Sequence, residues 1–462
     1  MNTAGRARRI IFCFLSCTLS GALIPGCAPP EDVSIHPAWD RKVILLAMDG
    51  LDWEVLDPLI ESGEAPAFAR LKAEGAWARL HSPEPLFSPI LWTSIATGKT
   101  PAAHGIRSFT VETAAGPVPV TSNLRRAPAL WQILSRRERS VGVIGWWATW
   151  PAEEVNGFLC TDRTWPITMG DQGWPLTSEG RDALAGMKRR TYPEGLMEEI
   201  RPFLRFREDF TEDEMGIIDV RGGLGTVGGE GPSVADVFAK DLSYDRMGRH
   251  LHASRRPDFF SVYFDVTDVM AHYFWPHYTH CRSSVHGDDT HVVPPPGGLP
   301  GDVAAAIGRN FEKSYIYMDS VLRHYLDIAT PQTYIIVVSD HGYGSFPDGP
   351  EIRVGDDLVQ RVLHWHDSEG VLLVWGRGVE AGVIEASIYD VAPTVLWLMG
   401  LPVAEDMEGS PLLDAFKRPL IKVTGSSRIA TYEMEASGDS VPVVSPEDPA
   451  YLERLRSLGY IR

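Results

Sequence analysis

Acidic and histidine side chains recur beside apolar runs in this sequence. Asp49 directly follows one such run, Asp340 and His341 follow a second, Asp268 lies shortly after a third, and His366 precedes a fourth. A carboxylate at the end of a buried strand is costly unless it is paired or binds a metal ion. Oxygen and nitrogen ligands of this kind suit zinc best, with manganese and iron as alternatives. The pattern therefore predicts a metal site.

Asp268 and His272 add a pair with chelating spacing. They are four residues apart, so a helical turn places them on one face. A lone aspartate after a strand is more often a turn or helix-cap residue. The metal prediction therefore depends on the joint placement of all these groups.

Ser88 is the candidate nucleophile. It precedes Pro89 and a run compatible with a helix. A serine at a helix N-terminus lies where a phosphate is favoured, and a bound metal would stabilise its alkoxide. The alternative is that Ser88 only caps the helix. The nucleophilic role is therefore predicted only together with the metal site.

Continuous apolar runs supply the elements that must position these groups. Five runs read as buried strands: 43–48, 141–147, 259–264, 334–338 and 371–375. Helix-like stretches lie between them, for example at 66–74 and 304–328. This alternation predicts an α/β fold, with a doubly wound, mostly parallel central sheet flanked by helices. Ligands bind such sheets beyond the carboxyl ends of their strands.

The chain divides into six predicted segments. They are a lipoprotein-type signal peptide (1–27), a tether (28–40), a first part of the catalytic core (41–156), an inserted cap (157–250), a second part of the core (251–420) and a C-terminal tail (421–462) with a short closing helix at 449–460. The cap is assigned from its weak periodicity and its content of Gly, Pro and charged residues. Its glycines at 223, 225 and 228 match a dinucleotide-binding pattern, but no helix opens directly after them. We interpret them as a loop.

The first 27 residues resemble an export signal. Arginines precede an apolar run at 10–24, which is too short for a comfortable transmembrane helix and suits a signal peptide. The run ends in a sequence similar to the bacterial lipobox, which implies a lipid on Cys27. The alternatives are an ordinary cleaved signal or a short uncleaved anchor. Each places the chain outside the cytoplasm, in the periplasm or at the cell surface, where Cys160 and Cys281 could pair.

The net charge of the chain limits the classes of partner that it is expected to bind. The chain has 43 Lys and Arg against 61 Asp and Glu, for a net charge of −18. That balance argues against binding of a nucleic-acid polymer, which needs a basic surface. An anionic substrate remains compatible, because bound cations can reverse the local sign. With 44% hydrophobic residues the chain can bury a sizeable core, so general disorder is excluded.

Taken together, these patterns resemble the type I phosphodiesterase/nucleotide pyrophosphatase family of the alkaline phosphatase superfamily. The resemblance runs from about residue 42 to 415, with the cap diverging, and is carried by the segments 44–50, 88–105, 265–272, 337–342, 366–370 and 389–409. It implies an alkaline-phosphatase-like fold and two divalent ions, zinc in many members. It also implies two ligand sets: Asp49, Ser88, Asp340 and His341 for one ion, and Asp268, His272 and His366 for the other. His364 is the alternative to His366, which fits the distance to Gly370 better.

The implied activity is that of a metal-dependent phosphoric ester hydrolase. Ser88 would act as nucleophile through a phosphoseryl intermediate, and a phosphodiesterase acting on a phosphorylated small molecule or lipid is the first expectation. The alternatives are a phosphatase, a phosphonate hydrolase, a phosphate-group transferase or a non-catalytic surface-binding lipoprotein. Phe109 stands where nucleotide pyrophosphatases often carry asparagine, which speaks against nucleotide specificity. Lys99 and Arg107 are the candidates for contacts with the substrate anion, and surface charge is the alternative for each.

Overall fold

Strands and helices alternate along the part of the chain that the computed structural model describes. The described residues are 37–165, 187–217, 234–286, 301–345, 351–354, 358–361, 364–425, 427–432, 441–445, 448–457 and 460–461. The strands are β1 (Lys42–Met48), β2 (Ala76–His81), β3 (Thr110–Thr113), β4 (Gly116–Pro119), β5 (Val141–Ile144), β6 (Gly157–Cys160), β7 (Thr191–Tyr192), β8 (Phe259–Phe264), β9 (Thr333–Val338), β10 (Gly342–Ser345), β11 (Glu351–Val354), β12 (Leu358–Arg361), β13 (His364–Asp367), β14 (Glu369–Trp375), β15 (Gly382–Val383), β16 (Ala386–Ser387), β17 (Val403–Ala404) and β18 (Arg428–Ile429). The helices are α1 (Trp53–Ser62), α2 (Pro66–Glu74), α3 (Ser88–Thr97), α4 (Pro101–His104), α5 (Leu130–Arg136), α6 (Leu196–Ile200), α7 (Glu212–Ile217), α8 (Val234–Arg255), α9 (Val266–His286), α10 (Gly301–Ile328), α11 (Val391–Leu398), α12 (Arg418–Thr424) and α13 (Asp448–Ser457).

The central sheet has the strand order β15-β2-β14-β9-β1-β8-β5-β6-β7, with β16 also paired to β2. β1 lies between β8 and β9 and is parallel to both, and β5 is parallel to β8 and β6. β14 is antiparallel to β9 and β2, and β7 is antiparallel to β6. The predicted α/β class with a mostly parallel sheet is confirmed.

Both faces of the sheet are covered, which explains why the central strands are apolar at nearly every position. In β1, Ile44 and Leu46 pack into one hydrophobic core, and Val43 and Leu45 pack into another. Helices α1, α2, α8, α9 and α10 contribute to the first core, and α3, α5, α11 and α12 to the second. The sheet is therefore wound on both sides.

Most predicted elements match observed ones. The helix predicted at 66–74 is α2 with the same bounds, and the one predicted at 304–328 lies within α10. The strand predicted at 141–147 is too long at its end. It stops at Ile144 because Gly145 takes a left-handed conformation, with φ of 78°, that turns the chain out of the sheet.

The range 157–250, assigned from the sequence to a cap, contributes directly to the sheet. β6 and β7 extend the sheet at one edge, and α8 packs into the core on one of its faces. The sheet therefore continues into this range. The division of the chain into core, cap and tail remains a prediction.

Other expectations fall outside the described residues. These are the export signal with Cys27, most of the tether, the glycine pattern at 223–228 and the side chain of Cys281. Cys160 is a buried free thiol in β6. Among the described helices, none is long and apolar enough to cross a membrane.

Candidate metal centre and nucleophile

Three parallel strands bring the predicted aspartates to one edge of the sheet. Asp49 follows β1, Asp340 closely follows β9, and Asp268 lies in the first turn of α9, which comes after β8. Because β1 pairs with both neighbours in parallel, with Met48 opposite Phe264, the carboxyl ends of the three strands lie side by side. The side chains therefore converge.

His366 reaches the same edge from β13. Its Nδ1 lies 2.8 Å from the carbonyl oxygen of Leu86. That oxygen can only accept, so Nδ1 carries the proton and Nε2 keeps its lone pair. Nε2 lies 3.3 Å from Asp268 Oδ1, and the ring stacks on His341 with centroids 3.7 Å apart. His364 lies on the same strand, but its side chain is outside the described part.

Two groups of side chains place metal-ligating atoms within 4.8 Å of one another. The first ligand group is Asp49, Asp340 and His341, and the second ligand group is Asp268, His341 and His366. All of these residues are buried. They share His341, whose Nε2 lies 3.2 Å from Asp49 Oδ1 and 3.8 Å from Asp268 Oδ1. Carboxylate oxygens and imidazole nitrogens in this arrangement match the chemistry of zinc or a similar divalent ion.

His272 lies at the border of the second ligand group. Its Nε2 is 3.4 Å from Asp268 Oδ1 and 3.0 Å from His366 Nε2. The same nitrogen lies 3.0 Å from the hydroxyl of Tyr460. The structure therefore brings together all six aspartates and histidines that the resemblance implies as ligands.

Ser88 is the first residue of α3 and is buried, and its neighbours along the chain contact the ligand groups. Trp92, one helical turn later, donates from Nε1 to Asp49 Oδ2 at 2.9 Å. Leu86, two residues earlier, accepts from His366. These two contacts fix the start of α3 against the ligand groups.

Buried polar atoms without a hydrogen-bond partner concentrate at this site. Among the described residues they include Asp49 Oδ1, Ser88 Oγ, Asp268 Oδ1, both oxygens of Asp340 and Nε2 of His341. Each such atom costs the full desolvation of a polar group unless something binds it. The atoms left open are those that would face bound cations, so the residues present fit a metal centre.

The charges and pKa shifts at the site also favour bound cations. In the described part of the chain, no lysine or arginine forms an ion pair with Asp49, Asp268 or Asp340. Burial and the charge of Asp49 raise the pKa of Asp340 well above its usual range. Burial alone would lower the pKa of His341, but Asp340 and Asp49 raise it to about 10. Cations would remove the mutual repulsion that these shifts express.

The two candidate anion contacts lie differently. Lys99 follows the far end of α3, about 15 Å along the helix axis from Ser88, and pairs with Asp406. Arg107 is exposed and precedes by two residues Phe109, whose ring stacks on Tyr460 at 4.5 Å. The structure thus does not bring Lys99 to the site, and it leaves Arg107 exposed two residues from a ring that contacts Tyr460.

Three site residues escaped the sequence reasoning. Trp92 and Tyr263 both donate to Asp49 Oδ2, and Tyr460 donates to Asp268 Oδ2. Tyr460 follows α13, which is the predicted closing helix with the bounds Asp448–Ser457. No motif marks Tyr263 or Tyr460, and the motif at 88–105 contains Trp92 without indicating a role for it. Only the one-turn spacing from Ser88 could have indicated Trp92.

The sequence matches the family model for type I phosphodiesterase/nucleotide pyrophosphatase over residues 43–391. This range covers more than half of the chain and includes Ser88 and both ligand groups. The chain belongs to this family. It is accordingly a phosphoric ester hydrolase, of a family whose members use divalent metal ions.

Solved structures resemble this family member only distantly. Wild-type alkaline phosphatase PafA is 13% identical with a TM-score of 0.48, covering 82% of this chain and 99% of that chain. Phosphonate monoester hydrolase SpPMH from Silicibacter pomeroyi is 14% identical with a TM-score of 0.42, covering 84% and 77%. An inactive variant of murine ectonucleotide pyrophosphatase/phosphodiesterase 5 in complex with AMP is 12% identical with a TM-score of 0.40, covering 82% and 100%. Likenesses at this level say nothing of the substrate. A search among curated proteins finds no match.

Proposed function

We propose that this family member is a two-cation phosphodiesterase that uses Ser88 as its nucleophile. The observation that carries the proposal is the buried, unbonded hydroxyl of Ser88 at the start of α3, whose neighbours Leu86 and Trp92 contact the ligand groups. Among the described residues, no lysine or arginine pairs with the three aspartates of those groups. A serine that only capped the helix would be expected to bond a backbone N–H of the first turn. Its hydroxyl makes no such bond.

The proposed chemistry assigns a task to each side chain. The first ligand group and Ser88 would hold one ion, and Asp268, His272 and His366 the other; Zn²⁺ is proposed, with Mn²⁺ or iron as alternatives. Bound there, the ions would supply charge that stabilises the serine alkoxide and the leaving oxygen. Ser88 Oγ loses its proton to water and attacks phosphorus. The bond from phosphorus to the ester oxygen breaks, and the alcohol leaves after taking a proton from water. The resulting phosphoseryl ester is then hydrolysed by water, which restores the hydroxyl.

The structure around Ser88 supports an ordered displacement. The backbone N–H groups at the start of α3 favour the negative charge of a phosphoryl group. Trp92 and Leu86 hold the start of the helix on both sides of Ser88 through Asp49 and His366. A nucleophile fixed in this way needs little reorganisation during attack.

We do not propose a nucleotide as the specific substrate. Phe109, which replaces the asparagine of many nucleotide pyrophosphatases, is buried and packs against Phe87 and Tyr460. It offers no side-chain hydrogen bond to a phosphate oxygen. A diester with some other phosphorylated small molecule or lipid as its alcohol is the proposed substrate class.

The test compares Ser88→Ala with the wild-type chain on paired aryl phosphate diester and monoester substrates. We expect chelator-sensitive turnover that favours the diester, and a loss in Ser88→Ala of roughly 10⁴-fold or more at unchanged metal content. Ser94→Ala is the matched control, because Ser94 is buried in the same helix and bonds His104 instead. Wild-type turnover in Ser88→Ala would refute the nucleophile. Preference for the monoester would make the enzyme a phosphatase.

We also propose that the chain is exported and anchored by a lipid on Cys27. The support is the signal-like sequence at 1–27. Labelling with a radioactive fatty acid should mark the wild-type chain and not Cys27→Ala. Equal labelling of both would show that no lipid is attached at this position.

A further inference from the structure

The two aspartates that head the ligand groups are held in the same way. In Asp49, Oδ2 accepts hydrogen bonds from Tyr263 and Trp92. Oδ1 faces His341 and has no hydrogen-bond partner in the described part of the chain. One oxygen is therefore fixed by the protein, and the other is presented to the site.

Asp268 repeats this division with a different partner. Its Oδ2 accepts a hydrogen bond from the hydroxyl of Tyr460. Its Oδ1 makes no hydrogen bond with the described residues and lies 3.3 Å from His366 Nε2 and 3.4 Å from His272 Nε2. A phenol thus bonds the outer oxygen of one aspartate in each ligand group.

Tyr460 is held in place independently of Asp268. Its ring stacks on Phe109 with an interplanar angle of 19°, and its backbone N–H donates to the carbonyl oxygen of Leu455 at 2.9 Å. The helix before it, α13, is attached to the core by Arg163 bonding Asp448 at 2.6 Å and by Arg454 bonding Asp265 at 3.2 Å. The hydroxyl is therefore delivered by a fixed segment.

We propose that Tyr460 and Tyr263 are positioning residues that orient Asp268 and Asp49, and that each phenol thereby sets the affinity of one cation site. This inference rests on the proposed two-cation site. A carboxylate whose outer oxygen is bonded loses less rotational freedom when its inner oxygen binds a cation. Without the hydroxyl of Tyr263, Asp49 Oδ2 would still accept a hydrogen bond from Trp92. Without the hydroxyl of Tyr460, Asp268 Oδ2 would lose the hydrogen bond described above. The effect of Tyr460 should therefore be the larger.

The experiment titrates metal-free protein with Zn²⁺ against a competing chromophoric chelator. For Tyr460→Phe, which keeps the ring that stacks on Phe109, we expect about 10–100-fold weaker binding of one ion and unchanged binding of the other. For Tyr263→Phe we expect a smaller loss, confined to the other ion. Tyr451→Phe is the matched control. It makes the same chemical change in the same segment, where the ring packs on Trp147, and should leave both affinities unchanged.

The outcomes separate this inference from the proposed function. If the wild-type chain does not bind two ions, the two-cation proposal fails first. If the wild-type chain binds two and Tyr460→Phe binds both as tightly, the positioning role is wrong. Equal weakening of both sites in Tyr460→Phe would also overturn it, since the hydroxyl would then act on the fold and not on Asp268. Thermal melts of the metal-free variants check that each chain is folded.

Discussion

Two buried acidic clusters lie next to each other at the carboxyl edge of the sheet and are neutralised differently. In the paired cluster, Asp265 forms ion pairs with Lys240 and Arg454, and Asp241 accepts hydrogen bonds from the backbone N–H groups of Asp265 and Val266. In the two ligand groups, no lysine or arginine of the described residues pairs with the three aspartates. Both clusters are buried, so burial does not distinguish a structural carboxylate from a candidate metal ligand. The presence of a lysine or arginine partner does.

The pKa shifts follow the same division. Burial and the charge of Asp265 raise the pKa of Asp241 to about 8, so this carboxyl can be neutral near pH 7 and the paired cluster carries little excess negative charge. In the ligand groups the aspartates act on one another, and the described cationic partner that offsets Asp49 and Asp340 is His341. The charge that the protein leaves uncompensated is the charge that cations would compensate.

The largest expected effect on metal content comes from removing a charge in the second ligand group. Asp268→Asn should lower bound zinc by about one ion and reduce turnover by more than the roughly 100-fold that follows loss of a group bonded to a ligand. Metal analysis and diester hydrolysis check this together. Full metal content and wild-type activity in this variant would remove Asp268 from the site.

The same substitution at Asp265, three residues earlier, should lower the stability of the fold and not the zinc content. Asp265→Asn leaves Lys240 and Arg454 without their shared carboxylate, which should cost about 3 kcal/mol in the free energy of unfolding, measured with urea. Zinc content should stay at the wild-type value. Loss of zinc without loss of stability would show that the two clusters are not distinct.

The smallest expected effect concerns a buried histidine that lies near arginines and not near carboxylates. Burial and the charge of Arg125 lower the pKa of His104 to about 3, whereas His341 among aspartates is shifted upward. Below pH 6.5 the unfolded chain binds a proton at His104 that the folded chain does not, so stability falls as the pH falls toward 3. This loss should amount to about 2 kcal/mol between pH 6.5 and pH 5.

The variant His104→Asn isolates this contribution. Asparagine can still accept from the N–H of Ile106, as Nδ1 of His104 does at 3.2 Å. Its unfolding free energy should decline less than that of the wild-type chain over the same pH range. Parallel curves for the two proteins would contradict the shift assigned to His104.

The sequence predicts structure well where the polarity of a residue reflects its own burial. The run at 43–48 is apolar at every position because β1 is buried on both faces, and Asp49 stands out because it breaks that run. Such local signals were enough to predict the sheet and the convergence of its acidic ends. The pairing of β14 with β2 in the antiparallel sense carries no local signal of this kind.

Contacts between distant segments were not predictable in this way. Tyr460 reaches His272 across 188 positions of sequence, and nothing in its neighbourhood marks it as part of a site. Lys99 illustrates the converse, because it is near Ser88 in sequence but lies beyond the far end of the helix and pairs with Asp406. Helix geometry determines that separation, and composition does not reveal it.

The most direct test of the two-cation site is the metal content of the purified, folded chain without its first 27 residues, measured by inductively coupled plasma mass spectrometry. We expect about two divalent ions per chain. A chelator should remove them and abolish diester hydrolysis, and zinc should restore both. Folded chain that binds no divalent ion after dialysis against zinc would contradict the two-cation site, because the buried aspartates would then be stable without the cations that their lack of basic partners requires.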